Sequence, residues 1–173
     1  MPRGPLRLGY PWPGSRPTGC NINYRICSPT AWAPPADLSA AARVLADAVD
    51  HGHPQALYWR GEVALAAAQP AEAARWFGLA AEQGIALAQF ALALLIESGD
   101  GPTQDVTVAG DWYRRVAESG MAQAQNNLGV LYADGRLAVG SDGHGAAFWL
   151  GAAARQGFAD ARFNLGAWYD QGG

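Results

Sequence analysis

A recurring pattern of glycine, alanine and tryptophan constrains the fold of this chain more than any other feature. Gly52, Gly84, Gly120 and Gly157 follow one another at intervals of 32, 36 and 37 residues. Eight residues before this glycine stands a tryptophan in three of the four copies, and four residues after it always stands an alanine. Nine residues after it stands a glycine or an alanine. Richness in alanine alone does not place small and aromatic residues in one register, so the chain contains an internal repeat with a period typical of stacked helical units.

Each copy of the repeat predicts two short helices. Such helices are too short to be stable alone in water, and a bulky residue facing Ala or Gly on a neighbouring helix lets the two approach closely. Glycine at the end of each copy suits the left-handed conformation that stops a helix. Asp105 and Asp142 are placed to cap second helices, and Pro54 and Pro70 suit a first helical turn. The predicted helices cover residues 37–51, 54–67, 70–83, 86–98, 105–118, 121–133, 143–156 and 158–170.

The repeat resembles a known family. The best-preserved copy contains Ala122, Ala124, Gln125, Leu128, Gly129, Tyr132, Gly135, Asp142, Ala146, Trp149, Ala153, Ala154 and Gly157. This motif is similar to the Sel-1-like repeat, a relative of the tetratricopeptide repeat, and the resemblance covers about residues 40–172. The copy before it has Ala93 and Ile96 where the motif has Gly and Tyr, and the first copy has Arg60 where the motif has Leu. The resemblance implies an all-α fold, a right-handed α-solenoid of antiparallel helix pairs.

The chain is expected to divide into a tail and a repeat array. Residues 1–36 are rich in Pro, Gly and Arg and lack helical or strand periodicity, so we expect them to be disordered. The array is expected to consist of a half-repeat at 37–52, full repeats at 53–84, 85–120 and 121–157, and a truncated repeat at 158–173. Because the last repeat would lack a second helix to cover its apolar side chains, we expect a truncated gene product. Self-association through the uncapped C-terminal helix is the second interpretation.

The tail differs from the array in charge. It carries four arginines and no acidic residue, whereas the rest of the chain has eight arginines against fifteen acidic residues. Scattered arginines are weak evidence for nucleic-acid binding, which is not expected. A disulfide loop or half of a metal site is one interpretation of Cys20 and Cys27. Their spacing fits no zinc motif, however, so two free thiols are favoured.

The sequence favours a cytoplasmic location. No apolar segment of signal-peptide type follows the early arginines, and no apolar run approaches the length of a membrane span. The repeats contain no cysteine, which favours a reducing compartment. A periplasmic location stays open if the start codon is mis-assigned.

No cluster of residues predicts catalysis, a metal site or a cofactor. Asp50, His51 and His53 lie at a predicted helix end, where such residues are common. Residues 100–105 lack the ordered carboxylates of a calcium loop. Residues 141–144 bring Ser, Asp and His together, but adjacency in sequence is not triad geometry. We therefore expect the protein not to be an enzyme, and assign no catalytic, cofactor or metal residue.

The resemblance to tetratricopeptide arrays implies that the first helix of each repeat lines a concave groove for another protein. Carried over by register, the partner-binding positions are Tyr58, Glu62, Phe90, Leu94, Gln123, Asn126, Val130 and Phe163. Aromatic residues there would anchor an apolar side chain, and acidic ones would favour a basic partner. Asn126 is the preferred contact, because an amide in an Ala-rich helix has a weaker packing rationale. For Tyr58, Phe90 and Phe163, packing between helices is the alternative.

The function expected from the sequence is that of an adaptor or scaffold that binds a segment of a partner protein or peptide. Two alternatives stay open. A cell-envelope hydrolase-like member of the same family is the first, although the sequence offers it no nucleophile–base pair. A non-functional gene fragment is the second, which the abrupt end of the array keeps open.

Overall fold

Pairs of short helices account for the described part of the chain. The computed structural model describes residues 43, 45–46, 48–101, 103–138 and 145–172. Predictions for the tail with its two cysteines, for the start of the half-repeat, and for Asp142 and residues 141–144 lie outside them. The complete helices are α1 (Pro54–Ala66), α2 (Pro70–Glu82), α3 (Ala86–Ser98), α4 (Val106–Glu118), α5 (Ala122–Ala133), α6 (Ala146–Arg155) and α7 (Ala159–Asp170). The described residues between 43 and 50 are helical too, and no strand occurs in the described ranges.

The helix bounds follow the predicted ones closely. All helices except α6 begin and end within one residue of the prediction. Helix α6 begins at Ala146, three residues later than predicted, with Gly145 at its N-cap. The physical reason is that Gly143 and Gly145 are poor helix formers, because glycine loses more backbone entropy in a helix than any other residue.

The glycines that define the repeat have the predicted backbone conformation. Their φ angles are positive, at 68°, 84°, 97° and 86° for Gly52, Gly84, Gly120 and Gly157. This is the left-handed region, which glycine enters at little cost. After each of these glycines, the next amide donates to a carbonyl five residues earlier, as in Ile85 N to Ala80 O at 3.2 Å. The glycine therefore stops a second helix and turns the chain into the next repeat.

Three helices also start with the residues that the sequence predicts for these positions. Asp105 Oδ1 accepts hydrogen bonds from the amides of Thr107 and Val108, at 2.9 and 3.2 Å. Asp105 is thus the N-cap of α4, as predicted. Pro54 and Pro70 lie in the first turns of α1 and α2, where the missing N–H leaves no helical hydrogen bond unmade.

The described residues form two compact units, one ending at Ala88 and one beginning at Gln89. In the first unit, α1 and α2 pack against each other. The ring of Phe77 lies so close to Gly61 that a Cβ there would be 2.5 Å from a ring carbon. A contact between Arg60 and Glu72, with nitrogen and oxygen 3.7 Å apart, lies at the edge of the same interface.

The second unit repeats this packing along α4, α5, α6 and α7, each of which contacts the next. Leu150 of α6 lies on Gly129 of α5, and a Cβ at Gly129 would be 2.7 Å from Leu150 Cγ and 2.9 Å from its backbone nitrogen. The largest fully buried aliphatic side chains of this unit are Leu95, Val116, Leu128, Val130, Leu131 and Leu150.

In both of these helix pairs, the bulky side chain that meets the glycine is the one directly after the tryptophan position of the repeat. Phe77, Tyr113 and Leu150 occupy this position and are all fully buried, whereas Trp76 and Trp112 are only half-buried. In the α1–α2 and α5–α6 pairs, one large side chain therefore fits against a glycine on the first helix, which brings the two helix backbones close together.

We expect Gly129→Ala to destabilise the protein and Gly166→Ala to stabilise it, although both glycines hold the same repeat position. At Gly129 the new methyl group meets the backbone of Leu150, which costs about 1–3 kcal/mol of overpacking. At Gly166 nothing lies within 4 Å, so the variant gains about 0.5–1 kcal/mol of helix propensity. Urea unfolding followed by circular dichroism measures both changes. Equal effects of the two substitutions would contradict the packing described.

Candidate functional site

The predicted partner-binding residues differ in how much of their surface is exposed to solvent. Phe163 is the most exposed, at 54%. Tyr58, Leu94 and Gln123 are half-buried. Buried positions are Glu62, Phe90, Asn126 and Val130.

Two of the aromatic positions pack between helices, the alternative considered for them. The ring centroid of Tyr58 lies 5.6 Å from that of Phe77, and that of Phe90 lies 5.7 Å from that of Tyr113. Phe90 is thus part of the core, while Tyr58 keeps part of its surface at the solvent. Phe163 differs from both, since more than half of its surface is exposed.

The sequence predicts that Asn126 contacts a partner, because an amide in an Ala-rich helix has a weak packing rationale. In the structure, its side chain is instead fully buried and hydrogen-bonded inside the protein. Its Oδ1 accepts a hydrogen bond from Asn164 Nδ2 of α7 at 2.9 Å. Its Nδ2 donates to Oδ1 of Asn127 at 3.2 Å. An amide satisfied by two buried amides tolerates complete burial. The side chain therefore links two successive first helices rather than facing solvent.

The hydrogen bonds of Asn126 continue into a longer polar chain through the core of this unit. Asn127 Nδ2 donates to the hydroxyl of Tyr113 over 3.5 Å. The Tyr113 hydroxyl donates to Glu97 Oε2 at 2.9 Å. Arg136 Nη1 donates to Glu97 Oε1 at 2.8 Å and forms an ion pair with it. We call the chain formed by Asn164, Asn126, Asn127, Tyr113, Glu97 and Arg136 the polar ladder.

Glu97 is the charged end of the polar ladder. Its side chain is buried, whereas that of Arg136 is partly exposed. A buried carboxylate is tolerated because both of its oxygens accept a hydrogen bond, one of them from a cation. Burial, and after it the nearby Glu97 carboxylate, raises the pKa of the Tyr113 hydroxyl well above its usual value. Tyr113 is therefore held protonated as the donor to Glu97.

Glutamines join the ends of the helices in the same unit. Gln125 Nε2 donates to the carbonyl of Ala117 in α4 at 3.0 Å. Gln156 Nε2, at the C-terminal end of α6, donates to Gln125 Oε1 at 2.8 Å and to the carbonyl of Gly120 at 2.9 Å. The glutamine of the repeat motif is thus a structural residue, which satisfies carbonyls that the helix ends leave without an intrahelical partner.

Part of the polar ladder is indicated by a recurring amide in the sequence. Asn127 and Asn164 stand at the same repeat position, seven residues after the repeat glycine. Amides recurring in register along an Ala-rich helix indicate contact between successive repeats. Tyr113 gave no such signal, because its position holds Phe77 and Leu150 in the other copies.

The helix pairs and their motif can be compared with known proteins. A family model described as the Sel1 repeat matches residues 49–85, 86–121, 122–158 and 159–173. The chain belongs to the Sel1 repeat family. This confirms the resemblance inferred from the motif and the all-α repeat fold that it implies. Sel1 repeats commonly act as protein-interaction modules.

Two solved structures of Sel1 repeat proteins are similar to the chain. A Sel1 repeat protein from Oxalobacter formigenes is 29% identical, with a TM-score of 0.66 over 79% of this chain and 57% of its own. The protective antigen c5321 of uropathogenic Escherichia coli, which displays an SLR fold, is 27% identical, with a TM-score of 0.60 over 76% of this chain. The chain spans about half of the first protein and 33% of the second. Among curated proteins, none matches the chain.

The described residues of these Sel1 repeats contain no group of three or more His, Cys, Asp or Glu side chains placed to hold a metal ion. None of the described helices is both long enough and apolar enough to cross a membrane. The side chains of the polar ladder are used in bonds to one another. The arrangement is therefore suited to holding helices of successive Sel1 repeats in a fixed position.

We expect Asn126→Ala to lower the free energy of unfolding by about 2–4 kcal/mol. The change leaves a small cavity and removes one partner each from Asn127 and Asn164, which stay buried. Gln123→Ala, one turn earlier on α5 and half-buried, is the matched control and should change stability by no more than about 0.5 kcal/mol. Chemical unfolding measures both variants, and indistinguishable midpoints would show that the ladder does not stabilise the fold.

We expect the stability that Tyr113 contributes to be lost in alkali. The pKa of Tyr113 is raised in the folded state, so its contribution is complete below the unfolded pKa of about 10 and falls as the pH rises above it. Tyr113→Phe should therefore be less stable than the parent at pH 7 by about 1–2 kcal/mol. The difference in unfolding free energy between the parent and Tyr113→Phe should narrow between pH 9 and 11, as measured by urea unfolding. A difference that stays constant over this range would contradict the assigned state of the hydroxyl.

Proposed function

We propose that the chain is a protein–protein interaction module that binds a segment of another protein along the first helices of its Sel1 repeats. The observation that carries this proposal is the position of Phe163. It occupies a partner-binding register position on α7, and 54% of its surface is exposed. Leu94 and Gln123, at partner-binding positions on α3 and α5, also keep part of their surfaces at the solvent.

The polar ladder supports this proposal by fixing the helices that present these residues. Its hydrogen bonds connect α3, α4, α5 and α7, so Leu94, Gln123 and Phe163 are held by a rigid core. A surface arranged in advance binds at a lower entropic cost than one that must be ordered on binding.

The charge of the chain indicates the kind of segment that the module binds. From residue 37 onward, the chain has fifteen acidic residues and eight arginines. Asp160 and Asp170 lie on α7 with Phe163 and are at least partly exposed. The proposed partner segment therefore combines an apolar side chain, which packs on Phe163, with basic residues, which the acidic side chains attract.

Phe163→Ala should reduce partner binding about tenfold, because a central aromatic contact contributes more than about 1 kcal/mol. The full chain, immobilised, is used to capture proteins from the lysate of its source, and the captured protein is then titrated by calorimetry. Phe148→Ala is the matched control, since Phe148 is also exposed but lies on the second helix α6.

Two results would contradict the proposal. One is capture that is equal for the parent chain and the Phe163→Ala variant, or absent for both. The other is turnover of acyl substrates by the purified chain, which would point to the hydrolase-like alternative. Both variants replace exposed side chains, so circular dichroism should show unchanged folding, and a loss of binding then reports on the contact itself.

A further inference from the structure

Glu97 is a buried carboxylate that receives its cation from a residue at the surface. It lies in the last turn of α3, and its side chain is only 6% exposed. Its Oε2 accepts a hydrogen bond from the buried hydroxyl of Tyr113 in α4. Its Oε1 accepts from Nη1 of Arg136, which follows α5 and has a side chain that is 35% exposed. One oxygen is therefore bound inside the core, and the other by a side chain that reaches the solvent.

The position of the Arg136 side chain makes Glu97 reachable from outside. The same side chain contacts Glu97 at one end and solvent along about a third of its surface. Turning it away therefore connects the carboxylate to the solvent. A buried carboxylate left without a cation is strongly unfavourable, so a second cation that arrives there replaces what Arg136 had supplied.

The backbone at Arg136 is held independently of its side chain. The amides of Arg136 and Leu137 both donate to the carbonyl of Leu131, at 3.0 and 3.2 Å. Leu137 also packs on α4, where a Cβ at Gly110 would be 2.6 Å from its Cδ1. The guanidinium can therefore leave Glu97 by rotation about side-chain bonds, a motion that is fast for exposed side chains, while the turn stays in place.

Asp134 offers the displaced guanidinium a second carboxylate. It is exposed and stands at the C-cap of α5, two residues before Arg136. Partial burial raises the pKa of the Asp134 carboxyl, and the positive charge of Arg136 acts in the opposite direction. The two charges are thus close enough to interact. Arg136 can exchange a buried carboxylate for an exposed one and still have an acidic neighbour.

We propose that Glu97 is the binding site for an arginine side chain of the partner segment, and that Arg136 fills this site while the segment is absent. The inference rests on the function proposed above and specifies the basic residue of the segment. Leu94, three residues before Glu97 on α3, is a predicted partner-binding position and is half-buried. Because residues three apart lie on the same side of a helix, the arginine of the segment and a neighbouring apolar side chain meet adjacent residues.

Arginine fits this site better than lysine does. The site is already shaped around a guanidinium, since Tyr113 fixes one oxygen of Glu97 and Arg136 donates to the other. A guanidinium is planar and weakly hydrated, whereas the ammonium of lysine is compact and strongly hydrated, so it loses more on entering a buried position. Competition with Arg136 therefore selects for arginine.

Acetyl-arginine amide is the probe, and acetyl-lysine amide, which has the same charge without a guanidinium, is its control. In the full chain carrying Arg136→Ala, about 50 mM of the arginine probe should raise the melting temperature by about 2–4 °C, because a ligand of the folded state stabilises it. The lysine probe should raise it by less than half as much. The double variant Glu97→Gln, Arg136→Ala should respond equally to both probes, since it has lost the charge of the site.

Arg136→Lys is the second variant, because Arg136→Ala leaves a buried charge unpaired and strongly destabilises the fold. The lysine variant keeps a cation beside Glu97 but provides a weaker competitor than arginine. Its melting temperature should rise with acetyl-arginine amide by more than that of the parent, whose site is filled, and by less than that of Arg136→Ala.

The captured partner gives a readout that a purely structural ion pair would not move. In calorimetry, Arg136→Lys should bind the partner about threefold to tenfold more tightly than the parent chain does, because the internal competitor is weaker. If Arg136 only stabilised the fold, the same variant would bind equally or more weakly.

Three results would overturn the inference. The first is an equal response of Arg136→Lys and the parent to acetyl-arginine amide. The second is an equal response of Arg136→Lys to the arginine and lysine probes. The third is partner binding that Arg136→Lys leaves unchanged or weakens. Failure of the proposed function has a different signature, the capture of no partner, and the probe titration then still shows whether Glu97 accepts an external guanidinium.

Discussion

The close approach of paired helices at one small residue is the contact on which the rest of the structure depends. At Gly61 and Gly129 the side chain of the neighbouring helix lies where any Cβ would be. Short helices gain most of their stability from such tertiary packing, because their own propensity is insufficient. Where this fit is made, two helices are held at a defined distance, and the remaining side chains of the repeat can then meet in register.

The polar ladder depends on that fixed distance. Hydrogen bonds between side chains tolerate only a few tenths of an ångström of variation, and the bond from Asn164 to Asn126 joins two first helices directly. In an otherwise apolar interior, these amides, one tyrosine and one carboxylate are stabilising only because each has a partner. The ladder also fixes the position of one repeat along the next, since an apolar interface of small residues would permit one repeat to slide along another.

The repeat, the helix bounds and the helix caps could be predicted from the sequence, because each rests on local chemistry. Asp105 as a cap and glycine as a stop depend on nearby residues alone. The role of Asn126 could not be predicted in this way, since its partner Asn164 lies in another repeat and its burial depends on how α7 packs. The same holds for Phe163, whose exposure differs from that of Phe90 at the same repeat position. Register specifies which face of the helix a residue occupies, and only the neighbouring helices decide whether that face is covered.

The link between Asn126 and Asn164 also bears on how this unit unfolds. In repeat proteins each unit is stabilised by its own contacts and by its interface with the next. An amide pair shared between α5 and α7 places part of the stability of both repeats in a single bond, with Asn127 and Tyr113 attached to it. Fraying of α7 would therefore expose buried amides in α5, which couples the two repeats into one cooperative melting step.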